Sequence, residues 1–162
     1  MRWRILLSMA CIVALASVVA VPDEAAAEAD GPAGVCKPGV TNDSLMPLPP
    51  ELVARARQVF ELHMPDDLIQ RTTVYRCMEG RTLLCTAGAN LACGKADTGR
   101  SAPGVADWCR DHADADNVPM FVTGHDTIYG WRCSGETPVI AATVATLDAR
   151  GFLSRNWKDA GK

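Results

Sequence analysis

The sequence predicts an α+β fold, in which a small antiparallel sheet held by disulfides packs against one amphipathic helix and one short helix. Two observations lead to this expectation. Segments rich in strand-forming residues alternate with glycine turns, downstream of an apolar pattern of helical period. An even set of cysteines remains once the N-terminal segment is set aside, as in small domains that disulfides stabilise. We expect a sheet of about four to six strands, which is the usual size.

Residues 1–27 predict a cleaved signal peptide. Two arginines precede an apolar run at residues 5–21, and three alanines at residues 25–27 are small enough for signal peptidase. The run is shorter than the roughly 20 apolar residues of a membrane span, which favours cleavage over anchoring. Cleavage after Ala20 or Ala29 also fits the pattern.

Residues 28–50 are rich in proline and glycine, and predict an extended leader that Cys36 ties down and that is otherwise mobile. A single disulfide-stabilised domain is then expected at residues 51–162. A double proline opens its first helix, because proline is tolerated in a first turn. Apolar side chains recur at helical spacing from there to His63, and Pro65 ends the helix.

A first β-hairpin follows. Residues 72–77 and 82–86 are rich in strand formers and flank a turn at residues 78–81. Residues 87–102 have the glycines and polar residues of a long loop, which Cys93 would pin. The short helix is expected after Pro103.

A second strand pair is expected near the C-terminus. Residues 120–123 begin it, residues 127–133 continue it, and residues 138–147 return after a turn. In the tail, the aromatic residues Phe152 and Trp157 are expected to close the core.

Cysteine usage predicts three disulfides. Cys11 lies in the predicted signal peptide, and six cysteines remain: Cys36, Cys77, Cys85, Cys93, Cys109 and Cys133. An even number in a small exported domain is typical of a disulfide framework, and the sequence leaves the pairing open. No Cys-x-x-Cys pair of the zinc-binding or thioredoxin type is present. We therefore expect no metal, no cofactor, and a periplasmic or secreted location.

Two segments share a short pattern. Tyr75-Arg76-Cys77 and Trp131-Arg132-Cys133 each precede a glycine turn. Chance and common hairpin chemistry are one explanation. The other is a pair of similar hairpins that pack together, with Cys77 bonded to Cys133.

The charge pattern limits the partners. The formal net charge is −3 at pH 7, and the sequence has no basic cluster. We therefore expect neither a nucleic-acid partner nor a membrane surface once the signal peptide is removed.

Few residues have the pattern of a catalytic or binding site. His125 and Asp126 lie in a polar turn and are candidates for a base with an orienting carboxylate, or for turn residues that bond their own backbone. Lys95, Asp97 and Arg100 lie on a loop with glycine hinges and are candidate ligand contacts. The acidic run at residues 111–116 lacks the glycine and terminal glutamate of a calcium loop, and predicts a solvated loop.

Three segments carry a resemblance: Tyr75-Arg76-Cys77, the loop from Cys85 to Cys93, and residues 124–133. Over roughly residues 70–157 the pattern resembles small exported cysteine-containing proteins of alphaproteobacteria that have no assigned function. The strand-hairpin opening around Cys77 is also similar to periplasmic inhibitors of C-type lysozyme, which are small β-barrels with disulfides. Neither resemblance assigns a role to a residue of this sequence.

Three functional hypotheses follow from the sequence. We favour a non-enzymatic interaction protein that binds a partner or a cell-envelope ligand through its loops. The first alternative is a small hydrolase built around His125 and Asp126. The second is a structural component of the cell envelope.

Overall fold

The computed structural model describes residues 35–88 and 90–161, and confirms an α+β fold with antiparallel sheets. The predicted signal peptide and the start of the leader lie outside these residues. Single 3-10 turns occupy Pro50–Leu52 and Ser154–Asn156. The longer elements are β1 (Asn42–Pro47), α1 (Val53–Phe60), α2 (Asp66–Thr72), β2 (Thr73–Met78), β3 (Arg81–Thr86), α3 (Pro103–Asp111), α4 (Met120–Thr123), β4 (Tyr129–Ser134), β5 (Thr137–Thr143) and β6 (Lys158–Asp159).

The larger sheet has the strand order β1-β2-β3-β6, with every neighbouring pair antiparallel. Its centre is the predicted first hairpin. Glu79 and Gly80 form the turn with φ of 55° and 82°, as a two-residue turn of type I′ requires. Gly80 is also required by packing, because a Cβ atom there would lie 2.8 Å from the backbone nitrogen of Gly39.

Both faces of this sheet are covered. Alternate residues of a strand point to opposite faces. On one face, Leu84 packs with Leu52 of the first 3-10 turn, Ala56 of α1 and Ile69 of α2. On the other face, within residues 35–88 and 90–161, loops rather than an α-helix cover the sheet. There, Leu83 and Cys85 pack against the loop residues Cys93, Phe152 and Trp157.

The second face is centred on a buried charge. The Arg76 side chain is 0% exposed. Its guanidinium carbon lies 4.1 Å from the ring centroid of Phe152 and 4.5 Å from that of Trp157. Its Nη2 donates to a carboxylate oxygen of Asp148. Burial lowers the pKa of Arg76, and the attraction of Asp148 opposes that effect.

Asp148 connects this charge to the C-terminal loop. Its Oδ1 accepts hydrogen bonds from the backbone N–H groups of Arg150 at 2.8 Å and Phe152 at 3.1 Å. The carboxylate therefore shapes the turn that carries Phe152 and simultaneously pairs with Arg76. The expectation that Phe152 and Trp157 close the core is confirmed.

The smaller sheet consists of the hairpin β4-β5, with Gly135 at a φ of 56° in its turn. The edge of β4 that faces away from β5 is hydrogen-bonded to the loop between α3 and α4. The N–H of Cys133 donates to Ala115 O, and the N–H of Val118 donates to Trp131 O. Within the residues that the structure describes, β5 pairs with β4 alone. Pro138 lies opposite Cys133, and the register shifts between Gly130 and Trp131.

A loop joins the two sheets. The N–H of Ala96 donates to Gly151 O, and the N–H of Asp97 donates to Asp126 O. The N–H of Ile128 donates to Asp97 O. Residues 96–97 therefore bond on one side to the C-terminal loop and on the other to the segment that leads into β4.

The six predicted cysteines form three disulfides: Cys36–Cys77, Cys85–Cys93 and Cys109–Cys133. The hypothesis of a Cys77–Cys133 bond is wrong. The two hairpins belong to different sheets, and each cysteine bonds to a neighbour in its own part of the fold. Three disulfides indicate a protein of an oxidising compartment outside the cytoplasm.

Three other expectations differ from the structure. Residues 120–123 form the helix α4 rather than a strand. Pro119 begins that helix, and its carbonyl accepts the N–H groups of Val122 and Thr123. A short apolar run of this kind does not separate helix from strand by periodicity.

The other two differences lie near α1. This helix ends at Phe60, followed by Glu61 in the left-handed region, so His63 is an exposed linker residue and not part of the helix. Pro65 then starts α2, which the sequence did not predict. The predicted leader is part of the sheet from Asn42 onward, as β1.

No helix among residues 35–88 and 90–161 is long and apolar enough to cross a bilayer.

We expect the three disulfides to contribute unequally to stability. The sequence separation is 41 residues for Cys36–Cys77, 8 for Cys85–Cys93 and 24 for Cys109–Cys133. Loop-closure entropy then gives about 4, 2.5 and 3.5 kcal/mol, respectively. Replacing each pair with alanines and measuring urea unfolding should therefore make the Cys36/Cys77 variant the least stable. A Cys85/Cys93 variant with the greatest loss would contradict this ranking.

Arg76→Met should lower the free energy of unfolding by about 3–5 kcal/mol, because it leaves Asp148 as a largely buried carboxylate without its cation. The double variant Arg76→Met/Asp148→Asn removes the remaining charge but keeps an oxygen that can accept the two backbone N–H groups. It should recover part of the lost stability in urea unfolding. An unchanged stability of the single variant would show that the ion pair is dispensable.

Candidate functional site

Lys95 belongs to a small charged cluster that also contains Asp43 and Arg150. Its Nζ lies 3.0 Å from Asp43 Oδ2 and 5.6 Å from the ring centroid of Phe152. Arg150 binds the same carboxylate through two atoms, with Nε 3.0 Å from Oδ1 and Nη2 2.9 Å from Oδ2. This Asp43 cluster connects β1 to the two loops that cover the sheet.

The two cations keep Asp43 ionised. Hydrogen bonds from Arg150, and then from Lys95, lower the pKa of Asp43 to about 2. The same pair raises the pKa of Arg150. A carboxylate with so low a pKa is a poor general base near neutral pH. The cluster therefore resembles a structural contact more than a catalytic one.

The other two candidates on this loop have different partners. Asp97 Oδ1 accepts the N–H of Gly99 at 2.7 Å, which stabilises the local turn. The Arg100 guanidinium lies 5.4 Å from the ring centroid of Tyr129, and its Nη1 is 3.4 Å from the Tyr129 hydroxyl. Lys95, Asp97 and Arg100 thus share no common partner.

His125 and Asp126 are neighbours, but no hydrogen bond joins their side chains in the part of the chain that the structure describes. His125 is half-buried, and its Nδ1 is buried without a described hydrogen-bond partner. Asp126 Oδ1 lies beside Gly124, where it would be 2.9 Å from a Cβ atom. The carboxylate does not orient the imidazole in this arrangement.

The sequence analysis did not single out a group of three aromatic side chains and one methionine on α3, just after it and on α4, which we call the aromatic patch: Trp108, His112, Met120 and Phe121. Phe121 is 76% exposed and Met120 is 45% exposed. The Trp108 and His112 rings stack with centroids 3.8 Å apart and planes 4° apart. Phe121 packs edge-on against Trp108 at 5.7 Å.

Local packing holds the patch in place. Val105 and Cys109 anchor α3 in a core cluster beside the smaller sheet, where Val122 of α4 also packs. The other buried members of this cluster are Val118, Trp131 and Cys133. Gly104 allows the two helices to approach closely, because a Cβ atom there would lie 3.2 Å from Val122 O. With Val122 turned inward, its neighbour Phe121 lies on the outside of the short helix.

The patch lies in an acidic segment of the chain. Residues 103–126 contain one arginine and five aspartates, a formal net charge of −4, whereas the whole chain carries −3 and the remainder therefore +1. Arg110 pairs with Asp107 at 2.6 Å, and Asp114 Oδ1 accepts the N–H of Gly135. Among residues 35–88 and 90–161, no ion pair involves Asp111 or Asp116.

Metal chemistry has no obvious site in the described ranges, which contain no group of three or more histidine, cysteine, aspartate or glutamate side chains arranged to hold a metal ion. The six cysteine sulfurs there are bonded in disulfides.

No known protein family, curated protein or solved structure matches this chain.

The Asp43 cluster makes a pH prediction. Its folded pKa of about 2 lies below the ordinary value of 3.8, so the unfolded chain takes up the proton first as the pH falls. The stabilisation is then complete above about pH 4 and is lost between pH 4 and 2. At pH 6, Asp43→Asn should have a lower free energy of unfolding than the wild type, and this difference should disappear near pH 2. Urea unfolding of the wild type and the variant at pH 6, 4, 3 and 2 measures this difference, with Glu51→Gln as a surface control. A stability difference that does not change with pH would contradict the prediction.

Proposed function

We propose that this protein is exported and acts as a non-enzymatic interaction module, which binds a partner protein through the aromatic patch. The observation that carries the proposal is the exposure of Phe121, together with Met120, on a helix that Val122 anchors in the core.

Exposed aromatic and methionine side chains are uncommon on free surfaces and enriched in interfaces. Tryptophan, phenylalanine and methionine are all over-represented at the centres of protein–protein contacts. The patch brings together one residue of each kind. Leaving such a group in water has no benefit for folding, which favours an explanation from binding.

The rigidity of the patch also supports binding. Association has an entropic cost for each side chain that becomes ordered. Trp108 is already fixed between His112 and Phe121, and α4 is held between Pro119 and Gly124. A partner would thus meet a surface that is largely organised before contact.

Export is supported by two independent features. The sequence predicts a cleaved signal peptide at residues 1–27, and the three disulfides suit an oxidising environment. We therefore place the interaction in the periplasm or in the surrounding medium.

The hydrolase alternative has less support. It needs His125 to act as a base that a carboxylate orients. The Asp126 side chain is directed to Gly124, and the backbone carbonyl of Asp126 accepts the N–H of Asp97. This arrangement favours a structural role for the turn.

Phe121→Ser should weaken partner binding at least tenfold, because a central aromatic side chain often contributes about 2 kcal/mol or more to the free energy of binding. Leu45→Ser is the matched control, since Leu45 is 43% exposed on β1 of the larger sheet and is not part of the patch. Both variants should melt close to the wild type.

Binding is measured on immobilised disulfide-bonded protein. C-type lysozyme is the first partner to test, because the sequence around Cys77 resembles that of periplasmic lysozyme inhibitors. Proteins recovered from the exported fraction of the source cells follow, and each is then purified. A partner that binds Phe121→Ser as tightly as Leu45→Ser would exclude the aromatic patch as the binding surface.

A further inference from the structure

We infer that the partner of the aromatic patch is a cationic protein surface, whose basic side chains surround an apolar contact with Phe121. This inference rests on the proposed function and names the chemistry of the partner. It follows from the combination of an exposed apolar group with an acidic rim.

Asp111 is close to the patch because of helical geometry. Residues three or four apart are neighbours on a helix surface. Asp111 is three residues beyond Trp108 on α3 and four beyond Asp107. Asp116 lies on the loop between α3 and α4, and is exposed like Asp111.

These carboxylates are available to a partner. Asp107 already has Arg110, and Asp114 already accepts a backbone N–H. Within the described part of the chain, Asp111 and Asp116 form no ion pair, so basic side chains would find two carboxylates without competing cations. The single arginine at residues 103–126 leaves this segment with a formal charge of −4.

Phe121 offers a second attraction for a cation. The Trp108 ring is covered by the parallel ring of His112 on one side and touches the edge of Phe121. Phe121 itself remains largely exposed. A lysine or arginine that lies over this ring gains a cation–π interaction in addition to the nearby carboxylates.

Charge also excludes the other occupants of an apolar surface. A second copy of this chain would place two acidic rims opposite each other, which is repulsive. Nucleic acids and anionic lipids carry the same sign of charge as the rim and would be repelled. A cationic protein is the occupant that satisfies both the apolar and the acidic parts.

The test is a selection of binders from a random dodecapeptide library displayed on phage. The library is first depleted on immobilised Phe121→Ser protein, and the remainder is then selected on the wild type at low salt. We expect the enriched peptides to combine an aromatic or aliphatic residue with an excess of lysine and arginine over aspartate and glutamate.

Charge variants then measure the contribution of the rim to binding of one enriched peptide. Asp111→Asn/Asp116→Asn should weaken binding by roughly fivefold at low ionic strength, and the difference should vanish near 1 M salt. Glu51→Gln/Glu61→Gln removes the same number of charges from exposed positions just before and just after α1. This control should bind like the wild type.

The outcomes separate the two proposals. If no peptide distinguishes the wild type from Phe121→Ser, the aromatic patch does not bind and the proposed function fails. If patch-dependent peptides are enriched but are neutral or acidic, the patch binds and the inference of a cationic partner fails. Equal weakening by both double variants would also overturn the inference, since it would show an effect of net charge alone.

Discussion

The packing of the larger sheet depends on the burial of the Arg76 guanidinium. Removing such a group from water is unfavourable unless its charge is compensated. Here a carboxylate and two aromatic rings provide the compensation, and all three lie in the segment from Asp148 to Trp157. Because that segment contains no long strand or helix, the contacts of Arg76 help to determine where it lies and which face of β2 and β3 it covers.

The distribution of disulfides follows the distribution of aliphatic side chains. The cluster beneath α1 and α2 consists of leucine, valine, isoleucine and alanine, with no cysteine among its buried members. The other two clusters are smaller and each includes both cysteines of one disulfide. A covalent bond is therefore present where apolar packing is thinnest, as expected for a small chain with a limited core.

Local signals in the sequence were sufficient for the fold class, both hairpins, the first helix and the number of disulfides. They were insufficient where the decisive contact is distant. Arg76 on a strand looks solvent-facing until Asp148, which is 72 residues away, is placed beside it. The aromatic patch was missed for a related reason. An extended conformation was expected for residues 120–123, whereas Pro119 starts a helix that turns Val122 inward and Phe121 outward.

The open edge of β5 has a consequence for the behaviour of the protein at high concentration. Residues 137–147 carry no charge and are rich in β-branched side chains, a composition that favours strand addition between molecules and aggregation. The backbone N–H of Cys133 points away from β5, so Cys133 and its opposite residue Pro138 are a pair without hydrogen bonds between them. The backbone nitrogen of Pro138 therefore faces the open edge of β5. A proline there has no N–H to donate, and the register shift further along bends the edge away from a regular ladder. The chain is therefore protected against polymerising through its own sheet, even though charge repulsion is absent along that strand.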